Sequence, residues 1–281
     1  MAHTETQIEI AIRVYDARAD TYELSWHPKY SRRFVPLIPI KPGHRVLSLC
    51  CGTGLDAFLA ADAVGESGRV VGVDISSGML AKAAERKGKD GRLGPRITLL
   101  HHSVTDLGTL DSLEVRKESF DIIMCSNSFV LFDHPSEVVR MWKDYLRPGG
   151  YVAIDIPHEH NFTSAVILER VASLLGAKFP STRAWIKSKD TFSKMLEDEG
   201  FVVEDAQEIE NISGEPATHF TLEKADEQFE YVTKSPFVAR VFGDDHLVHA
   251  KEMFRDEFTK EAVEGKVPMV DSLYFYLARK P

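Results

Sequence analysis

From Gly43 to Pro157 the chain alternates short apolar runs with stretches of helical spacing, and this alternation restricts the possible folds more than any other feature. The apolar runs cover residues 45–49, 69–73, 97–101, 121–125 and 151–156. Each is short, continuously apolar and bounded by Gly, Pro or charged residues, which is the pattern of parallel strands buried on both faces. Residues 55–64, 77–88 and 136–146 show helical periodicity and supply the crossovers that parallel strands require. After Pro148, Gly149-Gly150 is the expected turn into the fifth strand. The core is therefore expected to be a doubly wound, mostly parallel α/β sheet.

The flanks read differently. Residues 7–26 place Ile8, Ile12, Tyr15, Ala19 and Tyr22 on one helical face, and the proline-containing stretch 28–42 then interrupts that pattern. Beyond Pro157, helical stretches are expected at 164–176 and 189–200, an apolar run at 201–203, a charge-rich helical segment at 217–264 and an apolar, aromatic end at 272–277. Repeats and low-complexity linkers are absent from the sequence. It reads as a single domain, 1–281, with a helical N-terminal part (1–42), a core (43–157) and a C-terminal part (158–281). Residues 215–264 form the candidate inserted cap, where contacts specific to a substrate usually concentrate.

Charge and cysteine content narrow the function. Among 281 residues, 34 Lys and Arg stand against 43 Asp and Glu, a formal net charge of −9, which argues against nucleic acid or an anionic membrane as partner. Cys50, Cys51 and Cys125 are the three cysteines, two of them adjacent, so no disulfide framework is expected and a reducing compartment is the default. The N-terminal residues lack the basic start and apolar run of a secretory leader, and no apolar stretch approaches the roughly 20 residues that span a bilayer. A cytoplasmic protein is expected, and its oligomeric state is left open. His101 and His102 with Cys125 match no zinc-site spacing, so no metal is expected; His246 and His249 read as part of a solvated face.

The first apolar run ends in Ser48-Leu49-Cys50-Cys51-Gly52-Thr53-Gly54, and a helix follows at once. Gly52 and Gly54 allow a tight turn, and the helix start offers free amide groups to a polar ligand. Asp74 closes the second run twenty residues after Gly54. At the end of strand two, an acidic side chain faces the same crevice and can accept both hydroxyls of a ribose; the alternative is a helix cap before Ser76-Ser77. Together these features imply a nucleoside cofactor. Gly52-x-Gly54-x-x-Ala57 also satisfies the dinucleotide pattern, so an NAD(P)-dependent oxidoreductase stays open beside S-adenosyl-L-methionine, although no second Gly-rich loop occurs.

A set of motifs carries a resemblance. Tyr15-Asp16-x-x-Ala19-x-x-Tyr22, Val46 to Gly54, Val71-Gly72-Val73-Asp74-Ile75-Ser76-x-x-Met79-Leu80, Phe120-Asp121-Ile122-Ile123 and Leu146-Arg147-Pro148-Gly149-Gly150 together resemble class I S-adenosylmethionine-dependent methyltransferases. The similar branch comprises the ubiquinone/menaquinone-biosynthesis and small-molecule methyltransferases. The resemblance implies a Rossmann-like seven-stranded sheet with an N-terminal helical lid and a helical cap inserted near the C-terminus. It implies that the backbone around Ser48, Cys50, Cys51, Gly52 and Gly54 holds the methionyl part and Asp74 the ribose. Ile75 and Met79 would sandwich the adenine, Ser103 and Val104 would border it, and Ser126 and Asn127 would face the methionyl group or the methyl acceptor. Ser48 and Ser103 stand where the family commonly has Asp, with Asp106 a nearby substitute for the second. These departures motivate an alternative, a cofactor-binding protein of the same fold that catalyses cyclisation or serves a partner subunit.

For the chemistry, Tyr15 and Tyr22 are expected to close over the cofactor as a lid, offering cation–π attraction to a sulfonium, or to pack the helix on the sheet. Trp26 reads as packing. His158 and His160, directly after the fifth run, are candidate general bases or solvent-exposed loop residues, with His158 preferred. The expected acceptor is a small apolar or aromatic metabolite. Phe220, Phe229, Tyr231, Phe237, Phe242 and Phe254 read mostly as core, with some expected in an acceptor pocket under the cap. The three cysteines are expected to form a wall of the cofactor pocket.

Overall fold

The computed structural model describes residues 5–181, 183–214, 218–239 and 241–281. The strands are β1 (Arg45–Leu49), β2 (Arg69–Asp74), β3 (Ile97–His101), β4 (Phe120–Cys125), β5 (Leu146–Pro157), β6 (Val202–Glu210), β7 (His219–Thr221), β8 (Lys266–Pro268) and β9 (Ser272–Arg279). The helices are α1 (Gln7–Arg18), α2 (His27–Phe34), α3 (Leu55–Ala63), α4 (Ser77–Lys89), α5 (Pro135–Lys143), α6 (Thr163–Leu174), α7 (Lys189–Asp198), α8 (Ala225–Thr233) and α9 (Asp244–Lys260).

Seven strands form one sheet in the order β3-β2-β1-β4-β5-β9-β6, and β7 pairs with β8 apart from it. β1 to β5 run parallel, and β9 lies antiparallel between β5 and β6. The order reverses between β2-β1 and β1-β4, so the loops after β1 and β4 diverge and leave a crevice at the carboxyl ends of these strands.

Strand alternation feeds two cores. Leu47, Leu49, Ile123 and Cys125 face Val139 and Trp142 of α5 and Phe192 and Leu196 of α7. Val46, Ile122 and Met124 face Tyr30 and Phe34 of α2 and Ala57, Ala60 and Ala61 of α3 on the opposite side. Both faces of the parallel sheet are thus covered, which explains why its strands read as continuous apolar runs.

Several expected boundaries move. The helix expected over 7–26 stops at Arg18, Tyr22–Leu24 forms a separate short turn, and α2 begins at His27 within the proline-containing stretch. Pro28 sits in the first turn of α2, where its missing N–H costs nothing. Gly149 and Gly150 lie inside β5 rather than before it, exchanging backbone hydrogen bonds with Lys280. β6 extends well past the apolar run at 201–203. The expected start of the cap at Glu215, and of its helical stretch at Ala217, lies outside the described residues.

The cap has a core of its own. Phe229 of α8, Phe254 and Phe258 of α9, and Ile167, Leu168 and Val171 of α6 are buried together, with Phe220, Phe237 and Phe242 packed against them. Tyr231 is exposed.

Candidate functional site

The crevice holds a cavity of about 530 Å³. Its walls come from the loops after β1, β2, β3 and β4, roofed by α1. Tyr15, Tyr22, Cys50, Gly52, Asp74, Ile75, Met79, Ser103 and Val104 line it, as do Gln7, Ile8 and Ala11 of α1 and a stretch from Ser128 to Met141 that includes Leu131, Phe132 and Val138.

The turn after β1 is tight. Cys50 (φ 52°), Gly52 (φ 53°) and Gly54 (φ 87°) all adopt left-handed backbone, and Gly54 precedes the first residue of α3. For Cys50 this conformation stores strain, of the kind that collects at ligand sites. A Cβ placed on Gly52 would meet nothing within 4 Å, so the open space in front of this glycine is available to a ligand.

Asp74 ties two of the walls together. Its Oδ2 accepts from the Gly52 amide at 2.8 Å and its Oδ1 from the Ser76 amide at 2.8 Å. Burial pushes its carboxyl pKa up, while the amides of Ser76 and Gly52 pull it back. The side chain thus serves as a loop clamp, and each oxygen keeps a lone pair for a further donor. His101 Nε2 meets the Ile75 carbonyl at 2.8 Å and orders the same loop.

The roof is held from α4. Asp16 of α1 accepts from the Ser76 hydroxyl at 2.6 Å and the Gly78 amide at 2.8 Å. The rings of Tyr15 and Tyr22 meet edge to face at 6.4 Å although they belong to different helical segments. The Arg18 guanidinium lies 5.9 and 5.8 Å from the two ring centroids, and Phe237 of the cap packs on Tyr15 at 5.6 Å. Desolvation pushes the Tyr15 phenol up to about 12 and the Tyr22 phenol well above its ordinary value, so both stay neutral donors. Burial, with Arg18 adding to it, lowers the neighbouring His27 to about 3.

Beneath the glycine turn lie two carboxylates. Asp155 of β5 accepts from Tyr30 Oη (2.9 Å), Ser126 Oγ (2.9 Å) and the Asn127 amide (2.7 Å). Burial nevertheless raises it to about 7. Asp56, on the first turn of α3, is raised to about 6 by desolvation, opposed by the hydroxyls of Ser31 and Ser126. Its Oδ1 is buried without a partner.

The structure gathers most of the residues expected at the site and places others behind it. Ser48, Cys51, Gly54, Ser126 and Asn127 are not in the cavity lining. Ser48 is buried in mid-strand between Gly72 and Met124, and Ser126 and Asn127 instead hold Asp155. Of the cysteines only Cys50 reaches the cavity, while Cys51 and Cys125 are buried behind it. Asp106 is spent on the Thr109 hydroxyl at 2.8 Å and lies outside the lining.

His158 is also absent from the lining. Its Nδ1 accepts from the His160 amide at 3.0 Å, and its ring lies 5.0 Å from that of Tyr274, with Glu159 and Glu208 alongside. Phe220, Phe229, Phe237, Phe242 and Phe254 do not line the cavity but pack in the cap core, and Tyr231 is exposed. Gln7, Ala11, Arg18, Asp56 and Asp155 were not singled out by sequence. Gln7, Ala11 and Tyr15 do fall on one face of α1 at four-residue spacing, but that stripe is too polar at its start to stand out.

Among the described residues, no group of three or more His, Cys, Asp or Glu is arranged to hold a metal ion, and no helix is long and apolar enough to cross a membrane.

Comparison with known proteins agrees with this geometry. Residues 46–150 match the family model described as a methyltransferase domain. A demethylmenaquinone methyltransferase of Listeria welshimeri is 25% identical over 244 residues, covering 79% of this chain and 99% of that protein. Among solved structures, phosphoethanolamine N-methyltransferase 2 of Haemonchus contortus has a TM-score of 0.59 at 20% identity, over 99% of this chain and 61% of that one. The [4+2]-cyclase SpnF has a TM-score of 0.55 at 15% identity, over 90% and 80% of the two chains. The fold is that of class I S-adenosylmethionine-dependent methyltransferases. The chain is an enzyme of that type, and its cofactor is S-adenosylmethionine.

Proposed function

We propose that this enzyme transfers a methyl group to a small, mainly apolar or aromatic metabolite. The observation that carries this reading is the cavity of about 530 Å³, whose lining joins Asp74 and Gly52 to the apolar Ile8, Phe132, Val138 and Met141, with Asp133, His134 and Glu137 beside them. One cavity can then seat both cofactor and acceptor, and an apolar surface favours an acceptor of matching character.

The residues fit the cofactor group by group. Asp74 has lone pairs to spare for ribose hydroxyls, and the open face of Gly52 admits the methionyl chain. The buried, unpartnered Oδ1 of Asp56 near this turn suits an ammonium group. Ile75, Met79 and Val104 offer apolar and thioether surface to an adenine ring, with Ser103 at its border. Cys50 faces the same space, and Ser126 and Asn127 act indirectly, by fixing Asp155 under the turn.

When bound, S-adenosylmethionine supplies an electrophilic methyl carbon on a sulfonium. The protein's part is to hold a nucleophile in line with that carbon and to exclude water, and positioning alone accounts for large accelerations. Tyr15 and Tyr22, with their neutral phenols, form part of the roof under which this happens. His158 is held at the end of β5 by His160, Tyr274 and two carboxylates, so the cavity geometry lends a proton-transfer role for it no support.

Incubation with methyl-labelled S-adenosylmethionine and a metabolite extract, followed by mass spectrometry, tests the proposal. A labelled small molecule is the expected result. Tight binding of S-adenosylhomocysteine without any labelled product would instead favour the non-transferring alternative motivated by Ser48 and Ser103.

A further inference from the structure

Gln7 opens α1, and its side chain is almost fully buried, at 7% exposure, in the cavity wall. Its Nε2 donates to the carbonyl oxygen of Pro180. A carbonyl can only accept, so this bond fixes which end of the amide is nitrogen and turns Oε1 away from Pro180. That Oε1 is buried and has no hydrogen-bond partner. A buried amide oxygen left without a donor is unfavourable, so an oxygen held this way in the wall of a ligand cavity marks a place where a ligand donor belongs.

The surroundings say which ligand. Gln7 lies nine residues before Asp16, the residue that docks α1 beside the Asp74 loop. At 1.5 Å rise per residue the two are separated by about 13 Å along the helix, so Gln7 is at the end of the cavity remote from the ribose clamp. Pro180, which orients it, belongs to the segment after α6, in the C-terminal part of the chain. The lining further includes the apolar Ile8, Phe132, Val138 and Met141, with Asp133, His134 and Glu137 from the same stretch as the last three. Gln7 Oε1 is an uncharged acceptor fixed in this wall, and together with the apolar side chains it suits a largely apolar molecule that carries a hydroxyl or amino donor.

We propose that Gln7 is a specificity residue for the methyl acceptor, its Oε1 accepting a hydrogen bond from an O–H or N–H of an otherwise apolar substrate. This rests on the methyltransferase reading of the cavity. A site that needs its oxygen satisfied rejects an analogue lacking the donor far more strongly than it rejects a small change of bulk.

The test uses the full chain saturated with S-adenosylhomocysteine and three probes of similar shape, 4-ethylphenol, 4-ethylaniline and 4-ethylanisole, with affinities measured by ligand-observed NMR. Wild type is expected to bind the phenol and the aniline about tenfold more tightly than the anisole. Gln7→Met is expected to bind all three alike, with unchanged affinity for S-adenosylhomocysteine by calorimetry.

Equal binding of the three probes to wild type, binding of none of them, or a preference that survives in Gln7→Met would overturn the proposal. So would a large loss of S-adenosylhomocysteine affinity in Gln7→Met, which would put the oxygen on the cofactor. Failure of wild type to bind S-adenosylhomocysteine at all would overturn the underlying cofactor reading instead.

Discussion

Asp16 and Gly78 touch across the seam between α1 and α4: the carboxylate accepts the glycine amide at 2.8 Å, and a Cβ on Gly78 would lie 3.0 Å from Asp16 Oδ1 and 3.1 Å from its Cα. A side chain at position 78 would therefore crowd Asp16 and require the docked roof to give by a few tenths of an ångström. Gly78→Ala is expected to push α1 away from the Asp74 loop and weaken S-adenosylhomocysteine binding about tenfold, because two hydrogen bonds to a charged acceptor, each about 1.5–3 kcal/mol, are disturbed. The sheet core should melt almost unchanged. Lys82 with Asp20 and Arg86 with Glu23 tie α4 instead to the segment that follows α1; the first pair is largely exposed and contributes little, and the second is half-buried. Calorimetry of Gly78→Ala decides the matter, and wild-type affinity would show that α1 docking is irrelevant to the cavity.

Asp74 has two tasks, clamping the loops after β1 and β2 and, by our reading, holding the ribose. Asp74→Ala removes both acceptors at once and leaves the Gly52 and Ser76 amides without their partner. Cofactor affinity is expected to fall by about 10- to 100-fold, the equivalent of roughly 1.4–2.8 kcal/mol. Because the strands themselves do not depend on this side chain, circular dichroism of the variant should keep the wild-type form. Retained affinity would remove Asp74 from the ribose site.

Trp142 shows how the core reaches the site. It is fully buried in α5, and its Nε1 donates to the Val104 carbonyl at 2.8 Å; Val104 lines the cavity. Trp142→Phe leaves that carbonyl without its donor and a void beside it, for an expected loss of about 2–3 kcal/mol in stability. Release of the Val104 loop should also raise the KM for S-adenosylmethionine. A variant that loses stability while keeping its KM would confine Trp142 to packing.

The parts of the fold legible in the sequence are those fixed by local chemistry. The strands β1 to β4 match the apolar runs to within a residue, because burial on both faces forces continuous apolar sequence. The glycine turn and Asp74 were legible because a tight left-handed turn and a clamp demand particular residue types. Other features depend on contacts between distant segments. The break after Arg18 is invisible to periodicity, since Tyr15 and Tyr22 meet just as they would on one helix. The cap rings, Phe229 and Phe254 among them, are as apolar as pocket-lining rings would be, and only the packing against α6 assigns them to a core. Gln7 acquires its role from Pro180, 173 residues away.

Asp155 gives the protein a dependence on pH. Its carboxyl is buried and raised to about 7, mainly by desolvation, against about 3.9 in an unfolded chain. Between these values the folded state holds a proton that the unfolded state has released. The contribution of this group to stability is therefore greatest below about pH 4, falls as pH rises through 4 to 7, and levels off above. At about 1.4 kcal/mol per unit this group alone removes up to about 4 kcal/mol, and Asp56, raised for the same reason, acts in the same direction. Asp155→Asn keeps an oxygen for the Asn127 amide and carries no charge. It should therefore be more stable than wild type at pH 8, with the advantage shrinking towards pH 5. Melting temperatures of both proteins at pH 5, 6, 7 and 8 and constant ionic strength measure this difference directly. A gap that does not widen with pH would mean that Asp155 titrates like an exposed carboxylate and that its three donors fully offset its burial.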